Sequence, residues 1–193
     1  MKMKMHQMSF GKKGNRITLV HMNKPISLEL IGMLQSPLFS ENIALVIDAS
    51  PEDDRDYTFA CLAYAAGNCH PRILMDRELF YDVIRGSAEA RFILFHEIGH
   101  YVNQDCAELG FNNDTYQESR INATENSVVS KHEAAADDFA VRYFGREQAI
   151  KGLSCLLSRI KGKYDNEDYD ANDTRLAIKE LEMRIQRIRE SSI

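Results

Sequence analysis

Arg91-Phe92-Ile93-Leu94-Phe95-His96-Glu97-Ile98-Gly99-His100 is an apolar stretch of helical character that carries two imidazoles and a carboxylate. At 3.6 residues per turn, positions 96 and 100 lie on one helical face about 40° apart, so both rings can reach one ion. Glu97 is turned roughly 100° from His96, which can place its carboxylate beside a metal-bound water rather than on the metal. Phe92, Ile93, Phe95 and Ile98 suit a buried helix, and Ser87 after Gly86 is a start signal. The bland alternative is a core helix holding two satisfied histidines.

A catalytic zinc usually takes three protein groups and keeps the fourth position for water. The third is sought in Ser130-Lys131-His132-Glu133-Ala134-Ala135-Ala136-Asp137-Asp138-Phe139-Ala140, which reads as a helix closing at Gly145. Glu133 and Asp137 share a face there. Glu133 can bind the metal while Asp137 accepts the outer N–H of a ligand histidine and fixes its tautomer. The three alanines allow close approach of another helix. Two alternatives remain open: Ser130 and Glu133 could form a capping box, and His132, turned about 100° from Glu133, could be the ligand instead.

HExxH, a linker of about thirty residues, and then ExxxD at Glu133 and Asp137 resemble the gluzincin metallopeptidases. The continuation Asp137-Asp138-Phe139-Ala140-Val141-Arg142-Tyr143-Phe144-Gly145-Arg146-Glu147 is similar to the M48-type members in particular. Arg91 to His96 also resembles the ImmA/IrrE-type metallopeptidases, which commonly have Asn where this chain has Asp137. The likeness spans roughly residues 70 to 157. It implies an α+β, zincin-like fold: a small antiparallel or mixed sheet, an active-site helix, a second metal-ligand helix and C-terminal helices. It further implies Zn2+ on His96, His100 and Glu133, Asp137 behind a ligand, and hydrolysis of a peptide or protein substrate with Glu97 as general base. A non-catalytic zinc protein, or a regulatory binding module acting on one specific partner, is the alternative. Membrane-bound M48-type enzymes carry spans, whereas no stretch here approaches the roughly 18 uninterrupted apolar residues a span needs. The family's oxyanion-stabilising residue has no motif match; Tyr143, Arg142 and His132 are candidates by proximity in sequence.

A chain of 193 residues is ample for one core. The expected organisation is a single domain over 1–160, with an acidic tether and C-terminal helix over 161–193 packed on it or offering an oligomer interface. A formal net charge of −5 without a dense basic stripe argues against nucleic-acid binding. Cys61, Cys69, Cys106 and Cys155 form no CxxC pair and read as isolated thiols. Basic residues at the N-terminus precede no apolar core of a secretory signal, so a cytoplasmic location is expected.

The apolar periodicity after Pro25, through Leu28, Leu30, Ile31 and Leu34, predicts a helix ending before Pro37. Ile43 to Asp48 reads as a buried strand and Glu52 to Asp56 as a solvated loop. Tyr57 to Ala66 and Cys69 to Met75, joined at Gly67-Asn68, read as a hairpin. Pro71 makes the second arm an edge strand or marks its start; an edge there could take an extended peptide, as the gluzincin likeness implies. Gly11 to Gly14 reads as a turn, Asn112 to Asn126 as a polar irregular loop, Glu147 to Ile160 as a helix, and the last helix begins near Thr174, with Ile178, Leu181, Ile185 and Ile188 on one stripe.

Overall fold

The computed structural model describes residues 5–12, 15–22, 29–47, 60–64, 71–105, 113–164 and 171–191. They form an α+β protein that divides into two compact units, Met1–Ser87 and Ala88–Ile193. The Glu52 to Asp56 segment and the Gly67-Asn68 turn lie outside the described residues, as does most of the tether.

In the first unit, β1 (Met5–Phe10), β2 (Ile17–Met22), β3 (Glu29–Gln35) and β4 (Ile43–Ile47) run as an antiparallel meander. β6 (Pro71–Met75) pairs parallel to β4, and β5 (Ala60–Tyr64) pairs antiparallel on the far side of β6. The result is a mixed six-stranded sheet in the order β1-β2-β3-β4-β6-β5. Alternation along the strands makes one face: Ile17 and Leu19 in β2, Ile43, Leu45 and Ile47 in β4, and Ile73 and Met75 in β6 are buried.

One expectation is corrected here, and one pair of alternatives is decided. The helix expected up to Leu34 is replaced, over its described part, by strand β3. Both edges of β3 are hydrogen-bonded to neighbours, and Gly32 sits where an added Cβ would lie 2.7 Å from the Val20 carbonyl oxygen. Ladder pairing outweighs an apolar spacing of three and four that suits either element. The second hairpin arm, β6, is interior rather than an edge. Pro71 occupies its first position, opposite Tyr64, where the missing N–H costs the ladder least; the edges are β1 and β5.

Helix α1 (Arg77–Arg85) closes this unit's described part. Asp76 caps it by accepting from the Leu79 amide at 2.6 Å. Gly86 ends it at φ 101°, a left-handed conformation that glycine adopts without a Cβ penalty.

The second unit is helical: α2 (Ala88–Val102), α3 (Asn113–Glu125), α4 (Lys131–Phe144), α5 (Arg146–Tyr164) and α6 (Ala171–Glu190). α2 is its central helix, packing on α4 and α5. Phe92, Leu94, Phe95 and Ile98 are fully buried, worth roughly 1.5–3 kcal/mol each. Two glycines set the interhelical spacing. A Cβ on Gly99 would come 2.8 Å from Ala136 Cα of α4, and one on Gly152 of α5 would come 2.8 Å from the Phe92 ring. α6 packs on α5 with Leu181, Ile185 and Ile188 buried, as the stripe predicts. The expected loop over Asn112 to Asn126 is instead helix α3, which packs against α6. Its polar sequence has too little apolar periodicity to reveal it, and its partners are charged.

Candidate metal centre

The centre is built within the helical unit. Close packing of Gly99 on Ala136 brings the HEIGH face of α2 against the first two turns of α4. There His96, His100 and Glu133 converge, with one ligand-capable atom from each inside 4.8 Å of the others. All three are buried, at 7, 7 and 2% exposure. The two Nε2 atoms are 3.1 Å apart, His96 Nε2 is 3.2 Å from Glu133 Oε2, and His100 Nε2 is 3.7 Å from Glu133 Oε1. Donors at 2.0–2.1 Å from a tetrahedral ion stand about 3.3–3.4 Å apart, so this triangle has the size of one ion's ligand set.

Each imidazole is held from behind by a carboxylate. His96 Nδ1 lies 2.9 Å from Asp137 Oδ1, the role the sequence assigns to Asp137. His100 Nδ1 lies 2.7 Å from Asp105 Oδ2, and the other oxygen of Asp105 is 2.9 Å from His132 Nδ1. An Nδ1–H donated to a carboxylate leaves Nε2 as a lone-pair donor facing the triangle. His132 is therefore in the network but outside the donor group. Ser130 stands at the N-cap of α4 without a side-chain cap bond, and Glu133 reaches the histidines, so the capping box is not formed. Glu97 is half-buried on α2 and is not among the converging donors.

Two arginines complete the centre. Arg184 of α6, buried at 5% exposure, places Nη1 2.6 Å from Glu133 Oε2 and Nη2 2.6 Å from Asp137 Oδ1, with Nε 3.0 Å from Asp137 Oδ2. Its Nη2 is also 3.1 and 3.4 Å from the two ring nitrogens of His96. Arg120 of α3 bridges Glu133 Oε1 at 3.3 Å and Glu180 of α6 at 2.6 Å. Arg187 ties α6 to α4 through the Ala134 carbonyl and Asp138.

The electrostatics follow from this arrangement. Burial works to raise the Glu133 carboxyl, but Arg184, Arg120 and His96 outweigh it and hold it well below the usual carboxylate range. Asp137 is lowered despite its burial, chiefly by Arg184 and by its bond to His96. Burial and Arg184 press the His96 imidazolium down, yet Glu133 and Asp137 carry it up to about 9. With neutral imidazoles, four carboxylates (Asp105, Glu133, Asp137, Glu180) face two guanidiniums, leaving two negative charges. A divalent cation would balance them, and the three donors are of the kind a metal ion takes.

Of the oxyanion candidates, Arg142 is exposed and His132 is engaged with Asp105. Tyr143 packs on Phe95 and Phe139, and burial pushes its hydroxyl above its ordinary pKa. Asp105, Arg120, Glu180 and Arg184 were not legible as site residues. The available signals were a carboxylate five residues past His100 and a Glu180/Arg184 pair one turn apart beside the apolar stripe of α6.

No protein-family model, no curated protein and no solved structure matches the chain. Among the described residues, no helix is long and apolar enough to cross a membrane.

Proposed function

We propose that this chain is a zinc-dependent metallopeptidase with His96, His100 and Glu133 as its metal ligands. The observation that carries the reading is the facing of two imidazole Nε2 atoms at 3.1 Å, each with its Nδ1 committed to a carboxylate. Two neutral imidazoles so placed turn lone pairs towards each other, which a bound cation relieves and which, without one, a proton on His96 relieves; Glu133 adds a third donor on the same side. A non-specific core histidine pair needs neither the second carboxylate nor the third donor.

Zinc held by His96, His100 and Glu133 would supply a water of lowered pKa and would polarise a carbonyl oxygen. The chain's own residues do the rest. Asp137 and Asp105 keep the histidine tautomers fixed, so that no reorganisation of ligands accompanies turnover. Glu97, one position on from His96 and half-buried, takes a proton from the attacking water and delivers it to the amine nitrogen of the leaving peptide. The substrate class is a peptide or protein.

The test uses the purified full chain. Elemental analysis after dialysis should find about one zinc per chain and a clear loss in Glu133→Ala. Glu97→Gln should retain zinc and lose cleavage of a broad peptide library. Zinc in both proteins with no cleavage by the wild type would assign the ion a structural role, and no zinc uptake would remove the metal centre altogether.

A further inference from the structure

We propose that Arg184 is an internal counter-cation which compensates the ligand carboxylates when no ion is bound, and whose charge is set against the ion when one is. The inference rests on the zinc reading of His96, His100 and Glu133. Its basis is the position of the guanidinium. Nη1 is 2.6 Å from Glu133 Oε2 and Nη2 is 3.4 Å from His96 Nε2, so one fixed cation adjoins two of the three donor atoms. The same group grips both oxygens of Asp137, the carboxylate behind His96.

Two buried carboxylates on one turn of α4 repel each other and are costly to desolvate unless cations reach them. Arg184 is nine-tenths buried and meets both, whereas Arg120, at 27% side-chain exposure, is partly screened by water. Without an ion, Arg184 is therefore the chief permanent cation facing Glu133 and Asp137, with the His96 imidazolium beside it. An ion held by the same donors becomes a near neighbour of like sign, and in a buried site that repulsion is large. The asymmetry separates this role from positioning: a positioning residue strengthens metal binding, whereas a counter-cation weakens it while protecting the metal-free fold.

The experiment is a thermodynamic cycle on the full chain, using zinc titration against a chelating dye and thermal unfolding with and without zinc. Arg184→Met should lose several degrees of Tm in the metal-free state, recover most of the loss with zinc, and bind zinc about tenfold more tightly or better. Arg184→Lys, which keeps the charge but not the bidentate grip on Asp137, should fall between wild type and Arg184→Met in both measures. Where metal-free Arg184→Met does not fold, folding on addition of zinc supports the proposal, and failure to fold with zinc overturns it. Equal or weaker zinc binding by Arg184→Met, or the same Tm loss in both states, also overturns it. A wild type that takes up no zinc is a distinct result, which defeats the metal reading itself.

Discussion

Gly99→Ala probes the link between helix packing and the metal centre. An added Cβ would stand 2.8 Å from Ala136 Cα, 2.9 Å from the Ala136 carbonyl oxygen and 3.2 Å from Phe139 Cβ. The first two obstacles are backbone, so no side chain can rotate away. Restoring ordinary contact requires α2 and α4 to separate by ~0.6 Å at this point. Overpacking of this kind costs up to about 3 kcal/mol, against a gain of ~1 kcal/mol from replacing glycine within a helix. A net loss of about 2 kcal/mol is expected, read as a lower urea midpoint with an unchanged slope. The metal centre suffers through the same displacement, because the His96–Glu133 and His100–Glu133 edges both cross from α2 to α4. Ligand distances tolerate only about 0.2 Å, so zinc affinity should fall at least about tenfold in a dye-competition titration. Unchanged stability together with unchanged affinity would refute the packing argument. Lost stability with intact affinity would show that the donor triangle does not depend on the Gly99 contact.

Other expectations follow from single contacts. Asp105→Ala removes the partner of His100 Nδ1 and should weaken zinc binding about 10–100-fold, as should Asp137→Ala at His96; a titration showing no loss would deny these carboxylates their role. Ser130→Ala should change stability by less than about 0.5 kcal/mol in chemical denaturation, because Ser130 makes no side-chain cap bond; a loss of 1 kcal/mol or more would restore the capping role. The His96 imidazolium, raised to about 9, must lose its proton to become a ligand. Zinc uptake near pH 7.5 should therefore release about one proton, and apparent affinity should rise about tenfold per pH unit below pH 9; calorimetry in buffers of different ionisation enthalpy measures it. The sign is opposite for metal-free stability. A pKa raised on folding contributes fully below about pH 6.5 and is lost as pH rises through about 9.

The helices that carry the candidate site are readable because their spacing is local: His96 to His100 and Glu133 to Asp137 each span one helical turn. Their convergence depends on a long-range contact, yet Gly99 and the alanines of α4 left a trace of it in small residues. The β3 segment misled because Leu28, Leu30, Ile31 and Leu34 fit a helix, while the pairing of β3 with β2 and β4 is a property of distant sequence. Helix α3 was missed for the converse reason. Its side chain Arg120 meets Glu133 and Glu180, and an interface made of charges has no apolar period to detect. Arg184 was hidden within a readable helix, since an apolar stripe draws attention to Leu181, Ile185 and Ile188 and away from the polar residues beside them.

Those polar residues alter what α6 is for. Apolar packing alone would make it a cover whose register against α5 could shift with modest loss. Glu180, Arg184 and Arg187 instead fix it at three successive points: to Arg120 of α3, to Glu133 and Asp137 of α4, and to Asp138 and the Ala134 carbonyl of α4. A slip of one residue would turn Arg184 about 100° away from two buried carboxylates and leave both uncompensated. The helix is thus held in register by the charges of the candidate centre, and that cluster in turn draws its main buried cation from a segment some fifty residues beyond Glu133. That reciprocity explains how so acidic a cluster can keep its buried carboxylates, Glu133 and Asp137, ionised.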